Sequence, residues 1–137
     1  MPLTSLISAR IPPVTQGIKF CDRLFTEPTR LSSALIPPVS GIYAILVPDA
    51  GCSPRQFRPV YFGESSNLNG RVSTSHEKYS DWVRAAAGSQ LYLAHHATIL
   101  MNDQQRRDAE CELINHYRPE CNDRINTPPL LKSLYGV

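Results

Sequence analysis

Residues 40–71 read SGIYAILVPDAGCSPRQFRPVYFGESSNLNGR and contain two β-type runs joined by a long polar loop. The first run, residues 41–47, is almost wholly apolar, which is typical of a strand covered on both faces. The residues from Pro48 onward favour a turn, and residues 59–62 form the second run. Two runs joined in this way most simply make an antiparallel hairpin.

Each run carries a tyrosine two positions from a glycine. Gly41 precedes Tyr43 in the first run, and Tyr61 precedes Gly63 in the second. A glycine in a strand often marks a place where another chain segment or a ligand comes close. Arg71 follows ten positions after Tyr61. This stretch therefore offers two tyrosines and a cation within one hairpin and the residues that follow it.

Further elements are predicted from caps, stop signals and hydrophobic periodicity. Residues 19–35 are expected to hold one short helix or an edge strand. The third main strand has apolar residues on both faces, so we expect it inside the sheet. The other predicted elements are a short helix from about residue 67, a helix over 78–87, that third strand over 90–100, and a helix from 102 or 103 to Tyr117.

The last helix carries one acid among its apolar residues. Its apolar stripe runs from Ala109 to Tyr117, and Glu110 lies within it, one turn before Leu113. Glu112 instead points toward solvent. The helix therefore offers one candidate catalytic carboxylate, Glu110.

The composition is typical of one soluble domain of 137 residues, with 42% apolar and 19% charged residues. The net charge of +2 is too small to indicate nucleic-acid binding by itself. Among the 14 basic residues only Lys19, Lys78 and Lys132 are lysines, and arginine is the better bidentate partner for phosphate. No apolar run is long enough to span a membrane.

The four cysteines are widely scattered, without a CxxC pair. We expect no secretory signal at the N-terminus. We therefore expect reduced thiols and a cytoplasmic location.

These residue types suit phosphodiester hydrolysis. Magnesium is commonly held by one or two carboxylates with waters, so a lone glutamate is enough. Arginine adds fixed donors to a phosphoryl oxygen. Each residue also has an ordinary structural explanation. The tyrosines could be aromatics at the edge of the core, Arg71 a surface cation, and Glu110 the i−4 partner of Arg106.

Taken together and in order, the residues resemble the GIY-YIG nuclease family. This family includes catalytic domains of phage homing endonucleases, some restriction enzymes and the bacterial excision-repair nuclease. The resemblance covers about residues 40–123, with phenylalanine for isoleucine in the second tripeptide and a longer loop over 48–58. The matching positions are Gly41, Ile42 and Tyr43, then Tyr61 and Gly63, then Arg71, His76, Glu110 and Asn122.

The resemblance implies an α/β fold with a small, mainly antiparallel three-stranded sheet flanked by helices. It implies a divalent-metal-dependent endonuclease that hydrolyses phosphodiester bonds, with DNA as the expected substrate. The implied cofactor is Mg²⁺, with Mn²⁺ as a substitute. Tyr43 would orient or deprotonate the attacking water, and Tyr61 and His76 would shape that hydrogen-bond network.

The remaining implied roles concern charge and support. Arg71 would stabilise the charge of the transition state. Glu110 would be the metal ligand beside the leaving oxygen, and Asn122 would brace the site. The residues expected to contact the substrate are Gly41, Gly63, Arg55, Arg58 and Lys78.

Residues 1–39 are expected to form a prefix on or beside the core, residues 40–123 the nuclease-like domain, and residues 124–137 a C-terminal tail. One alternative function is a GIY-YIG-like module that binds nucleic acid or supports assembly with little or no catalysis. Another is an interaction module that acts through the proline-rich prefix. A homodimer and a complex with a partner protein both remain open.

Overall fold

The computed structural model describes residues 17–52 and 56–122. Its strands and helices confirm the expected α/β class. A 3-10 turn, Leu31–Ser33, follows the third strand. In chain order the elements are β1 (Ile18–Phe20), β2 (Arg23–Phe25), β3 (Thr29–Arg30), β4 (Gly41–Pro48), β5 (Phe57–Ser65), α1 (Leu68–Arg71), α2 (Tyr79–Ala86), β6 (Tyr92–Ala97) and α3 (Asp103–Tyr117).

The main sheet is antiparallel throughout, with the strand order β3-β6-β4-β5. The three strands expected from the sequence form its body. The two-residue strand β3 adds a fourth beside β6, so the sheet is four-stranded rather than three-stranded. The strand β6 lies inside the sheet, as its apolar pattern predicts. The strand β5 is at an edge, and this edge position decides where the candidate site forms.

Strand β4 is apolar along its length because both of its faces are covered. Side chains at 43, 45 and 47 pack in one core with Trp82 of α2, and side chains at 42, 44 and 46 pack in a second core with Leu113 of α3. Alternation along a strand sends successive side chains to opposite faces. Helices α1 and α2 therefore cover one face of the sheet, and α3 covers the other.

Strands β1 and β2 form a hairpin that the sequence pattern did not predict. Its turn residues, Cys21 and Asp22, have φ values of 49° and 62°, as a tight two-residue turn requires. Phe20 and Phe25 are buried in the core beneath α3, where the Phe20 ring lies 5.3 Å from that of Phe62. Part of the predicted prefix thus belongs to the core, and a domain boundary near residue 40 stays a prediction.

Helix α3 begins with a capping box. The Asn102 side chain accepts a hydrogen bond from the Gln105 amide, and the Gln105 side chain accepts one from the Asn102 amide. This pairing satisfies two donors at the helix start. At 15 residues it is the longest helix within 17–52 and 56–122, and in these ranges no helix is long and apolar enough to cross a bilayer.

Replacing Phe20 by alanine should lower the free energy of unfolding by about 3–5 kcal/mol, because it empties a fully buried aromatic site. Urea denaturation measures this loss. Lys19, exposed on the same strand, provides the control. Lys19→Ala should change stability by less than about 0.5 kcal/mol. Equal effects for the two variants would contradict the packing of this hairpin.

Candidate active site

The ring of Tyr43 packs over the backbone of Gly63, which is its direct partner in the pairing of β4 with β5. A Cβ atom at Gly63 would overlap the ring and hydroxyl of Tyr43, so only glycine leaves room for the ring. Gly41 is similarly enclosed, since its Cβ would lie 2.7 Å from both the His96 carbonyl oxygen and Leu68 Cδ1. Both glycines thus serve packing, and their contact with a substrate stays a prediction.

His76 fixes the hydroxyl of Tyr43. Its Nδ1 atom accepts a hydrogen bond from the Lys78 amide at 3.0 Å, so the single proton of the neutral ring belongs on Nε2. Nε2 lies 2.9 Å from the Tyr43 oxygen and therefore donates to it. Burial, and next the charge of Arg71, lower the pKa of His76 and favour this neutral form. In this tautomer His76 is a donor to Tyr43 and not an acceptor of its proton.

Tyr61 stands beside Tyr43, with ring centroids 6.0 Å apart. Burial raises the pKa of Tyr43, and Tyr61 raises it further, while the positive charge of Arg71 opposes the shift. Burial also raises the pKa of Tyr61, and its hydrogen bond with Tyr43 works against that rise. Both phenols are therefore neutral in the metal-free protein. Added positive charge at this place would make either one easier to ionise.

The ring of Trp82 packs against His76 and Tyr61. Its ring lies 4.5 Å from that of His76 and 5.3 Å from that of Tyr61. The side chain is fully buried. The sequence analysis did not single out Trp82, although the amphipathic pattern of α2 could have placed it on the inner face. Its contacts restrict the His76 ring and exclude water from one side of it.

Arg71 closes α1, the short helix expected after β5, and its guanidinium meets Glu77. Arg71 Nη1 donates to Glu77 Oε2 at 2.8 Å, and Nη2 donates to Oε1 at 2.5 Å. This hydrogen bonding holds the pKa of Glu77 at about 2. The charge of Arg71 also acts on the pKa of Tyr43 and of Tyr61, which it lowers. Nothing in the sequence pattern singled out Glu77.

Glu110 lies on α3, which covers the other face of the sheet, and its charge raises the pKa of both tyrosines. Burial raises its pKa to about 7, and the negative charge of Glu64 adds to the rise. Arg106, the alternative i−4 partner, is engaged elsewhere. Its Nε donates to Glu64 Oε2 and its Nη2 to Asp103 Oδ1, both at 2.8 Å. Glu110 is therefore a partly buried carboxyl, and the positive charges near it do not offset the rise in its pKa.

Asn122 braces the free edge of β5. Its side-chain amide donates to the Phe62 carbonyl at 2.8 Å and accepts from the Phe62 amide at 2.9 Å. The neighbouring Cys121 amide donates to the Val60 carbonyl. On the residues that flank Tyr61, these bonds take the place of the hydrogen bonds that a neighbouring strand would make. Asn122 thus supports the backbone that carries the site.

The residues predicted to bind substrate through charge have different surroundings. Arg58 pairs with Asp49 at 3.5 Å and with Glu120, so two carboxylates already balance its charge. Lys78 lies at the start of α2, where its amide serves His76. Arg55 lies outside the described residues. Substrate contacts by these three residues stay predictions.

A divalent cation fits the chemistry at Glu110. No cluster of three or more His, Cys, Asp or Glu side chains that could hold a metal occurs in residues 17–52 and 56–122. Mg²⁺ does not need such a cluster, because it often keeps waters and takes only one or two carboxylates. A carboxyl whose pKa is raised by burial gains most from a nearby cation. Glu110, with Glu64 beside it, is the donor set that fits.

Comparison with solved structures finds similarity to GIY-YIG endonuclease domains. They are structures of the N-terminal endonuclease domain of UvrC from Thermotoga maritima. A point mutant bound to its catalytic divalent cation is 26% identical, and the form bound to magnesium is 25% identical. The matches cover 66% and 65% of this chain and 89% of each solved chain, with TM-scores of 0.46. No family model and no curated protein matches.

Replacing Glu110 by glutamine should stabilise the metal-free protein at pH 8 and leave it nearly unchanged at about pH 4, below the ordinary pKa of a glutamate. The raised pKa means that stability from this carboxyl is full below about 4.5 and is lost as the pH rises through about 7. The gain at pH 8 should be at most about 3 kcal/mol. Urea denaturation in EDTA at both pH values measures it.

Glu112→Gln is the matched control, because this side chain lies two residues further along α3 and is 57% exposed. It should show no comparable gain at pH 8. An equal response of both variants, or a Glu110→Gln gain that is the same at both pH values, would contradict the buried state of Glu110.

Proposed function

We propose that this chain is a GIY-YIG-type nuclease, a divalent-metal-dependent endonuclease that hydrolyses phosphodiester bonds in DNA. One observation carries the proposal. A histidine-bound tyrosine lies beside a second tyrosine, and the charges of an arginine and of a partly buried glutamate act on the pKa of both, although these residues come from both faces of the sheet. Neither the core nor the surface requires this combination, whereas phosphodiester hydrolysis uses each part of it.

Tyr43 and His76 act on the attacking water. The Nε2–H group of His76 occupies a lone pair of the Tyr43 oxygen, so the remaining lone pair and the hydroxyl proton have fixed directions. Such a hydroxyl orients a water held at the phosphorus. Because His76 donates to the Tyr43 oxygen, it also stabilises the phenolate if Tyr43 gives up its proton. Tyr61 receives the adjacent hydrogen bond and completes this network.

Arg71 binds the phosphoryl group. Its planar donors match phosphate oxygens, and they stabilise the extra negative charge that gathers there in the transition state. Its charge also lowers the pKa of the two tyrosines. Arg71 therefore links binding of the phosphate to activation of the water.

Glu110 would hold the metal ion, with Glu64 close by, and Mn²⁺ is proposed as a substitute for Mg²⁺. When bound, such an ion supplies positive charge for the leaving oxygen and lowers the pKa of coordinated water. Glu110 must be ionised to bind it, so binding should strengthen as the pH rises through about 7.

Two further assignments belong to this proposal. The partner is nucleic acid, with a second copy of the chain or another protein as a source of specificity. The location is cytoplasmic, which is supported by four cysteines that form no disulfide within the described residues. The alternative function, a nucleic-acid-binding module without catalysis, makes a different prediction in the experiment below.

Purified wild-type protein should nick supercoiled plasmid in the presence of Mg²⁺ and not in EDTA. Glu110→Ala should abolish nicking, and Arg71→Ala should reduce its rate by about a hundredfold or more, because each removes charge stabilisation at the reacting group. Gel electrophoresis of the plasmid forms over time gives the rates.

Matched controls are Glu112→Ala on the outer side of α3 and Arg84→Ala on α2, whose side chain is 80% exposed. Both should retain nicking. Retained activity in Glu110→Ala would refute the metal-ligand assignment. Salt-sensitive DNA binding by a folded wild type without any nicking would favour the binding module instead.

A further inference from the structure

Glu77 is the partner that orients Arg71. It follows His76 directly in the chain, and its two carboxylate oxygens meet the two terminal nitrogens of the guanidinium at 2.8 and 2.5 Å. Two parallel hydrogen bonds between planar groups fix both distance and angle. A single bond, or a bond to lysine, would leave the cation free to turn.

This pairing leaves donors available on Arg71. A guanidinium has five N–H groups, and Glu77 uses one on each terminal nitrogen. The Nε–H group and one further N–H on each terminal nitrogen remain. Because the group is planar and rigid, binding along one side sets the direction of these remaining donors. Arg71 can therefore bind Glu77 and a phosphoryl group at the same time.

The position of Glu77 connects the groups around Tyr43. Glu77 Oε2 lies 3.5 Å from His76 Nδ1 as well as accepting from Arg71. The segment that carries Glu77 also supplies the hydrogen bond from His76 to the Tyr43 hydroxyl. These two consecutive residues therefore orient both the Tyr43 hydroxyl and the Arg71 guanidinium.

Stability does not explain this pair. The Glu77 side chain is 59% exposed and that of Arg71 is 38% exposed, and exposed ion pairs contribute little to folding. Substrate binding does not explain it either, because a carboxylate beside a phosphate site repels the phosphate. The remaining explanation is that the pair stabilises the transition state, because a guanidinium already fixed in place needs no reorganisation during the reaction.

We propose that Glu77 is a positioning residue that holds the Arg71 guanidinium in the direction from which it meets the reacting phosphoryl group. The proposal rests on the nuclease function proposed above. It predicts slower turnover without weaker binding when the carboxylate is lost, because that loss removes both the orientation and the repulsion.

Glu77→Gln should lower kcat for plasmid or oligonucleotide cleavage by about tenfold or more, since small misplacements of reacting groups are costly. KM should stay unchanged or fall. Asp81→Asn is the matched control, because Asp81 carries the same charge on nearby α2 and pairs only weakly, with Arg84 at 3.5 Å. Its kcat should remain within about twofold of wild type. A kcat for Glu77→Gln equal to that of the control would overturn the proposal.

A second readout does not depend on cleavage. In ¹⁵N NMR spectra, the terminal N–H signals of Arg71 should be resolved in the wild type and in Asp81→Asn, and averaged by rotation in Glu77→Gln. The Arg71→Lys variant assigns them. Averaged signals in the wild type would overturn the positioning role and leave the nuclease proposal intact. Absence of wild-type cleavage together with Glu77-dependent signals would contradict the nuclease function and retain the orientation of Arg71.

Discussion

The contact between the Tyr43 ring and Gly63 is the constraint on which the candidate site depends. The two residues are paired directly across β4 and β5, and the ring occupies the space that any side chain at position 63 would fill. This contact directs the hydroxyl toward His76. The spacing of tyrosine and glycine in the two strands is therefore a packing requirement that places a phenol at the sheet edge.

The site is assembled from both faces of the sheet around one edge strand. Arg71 and His76 come from the side of α1 and α2, whereas Glu110 comes from α3 on the other side. An edge strand allows this because its outer side is not covered by another strand, and Asn122 supplies the hydrogen bonds that a neighbour would have made. The same arrangement has an energetic cost, since it partly buries a carboxyl without a cation.

Much of the fold could be predicted because its signals are local. The apolar run of β4, the asparagine cap and the glycine and proline stop signals each act over a few residues, and the three main strands and α3 appear where they indicate. The β1–β2 hairpin could not be predicted in this way, because its three-residue strands are too short to show a period. Its place is decided by Phe20 and Phe25, which pack against rings far along the chain.

The candidate site, too, could be predicted only in part. Residues such as Tyr43 and Arg71 stand in a fixed order along the chain, so a sequence pattern can identify them. Their partners depend on which side chains the fold brings together. Arg106 binds Glu64, 42 positions away, instead of Glu110 one turn along its own helix. Arg58 looks like a phosphate ligand in the sequence, yet it pairs with Glu120, 62 positions away.

The central claim is that Glu110 holds a divalent cation at the edge of β5. Titration with paramagnetic Mn²⁺, followed by ¹⁵N NMR of backbone amides, tests this claim most directly, because broadening falls steeply with distance from the ion. The account predicts that the signals of Glu64 and Glu110 broaden first and recover when Mg²⁺ is added in excess. Broadening centred on carboxylates away from this edge, or no site-specific broadening, would contradict it.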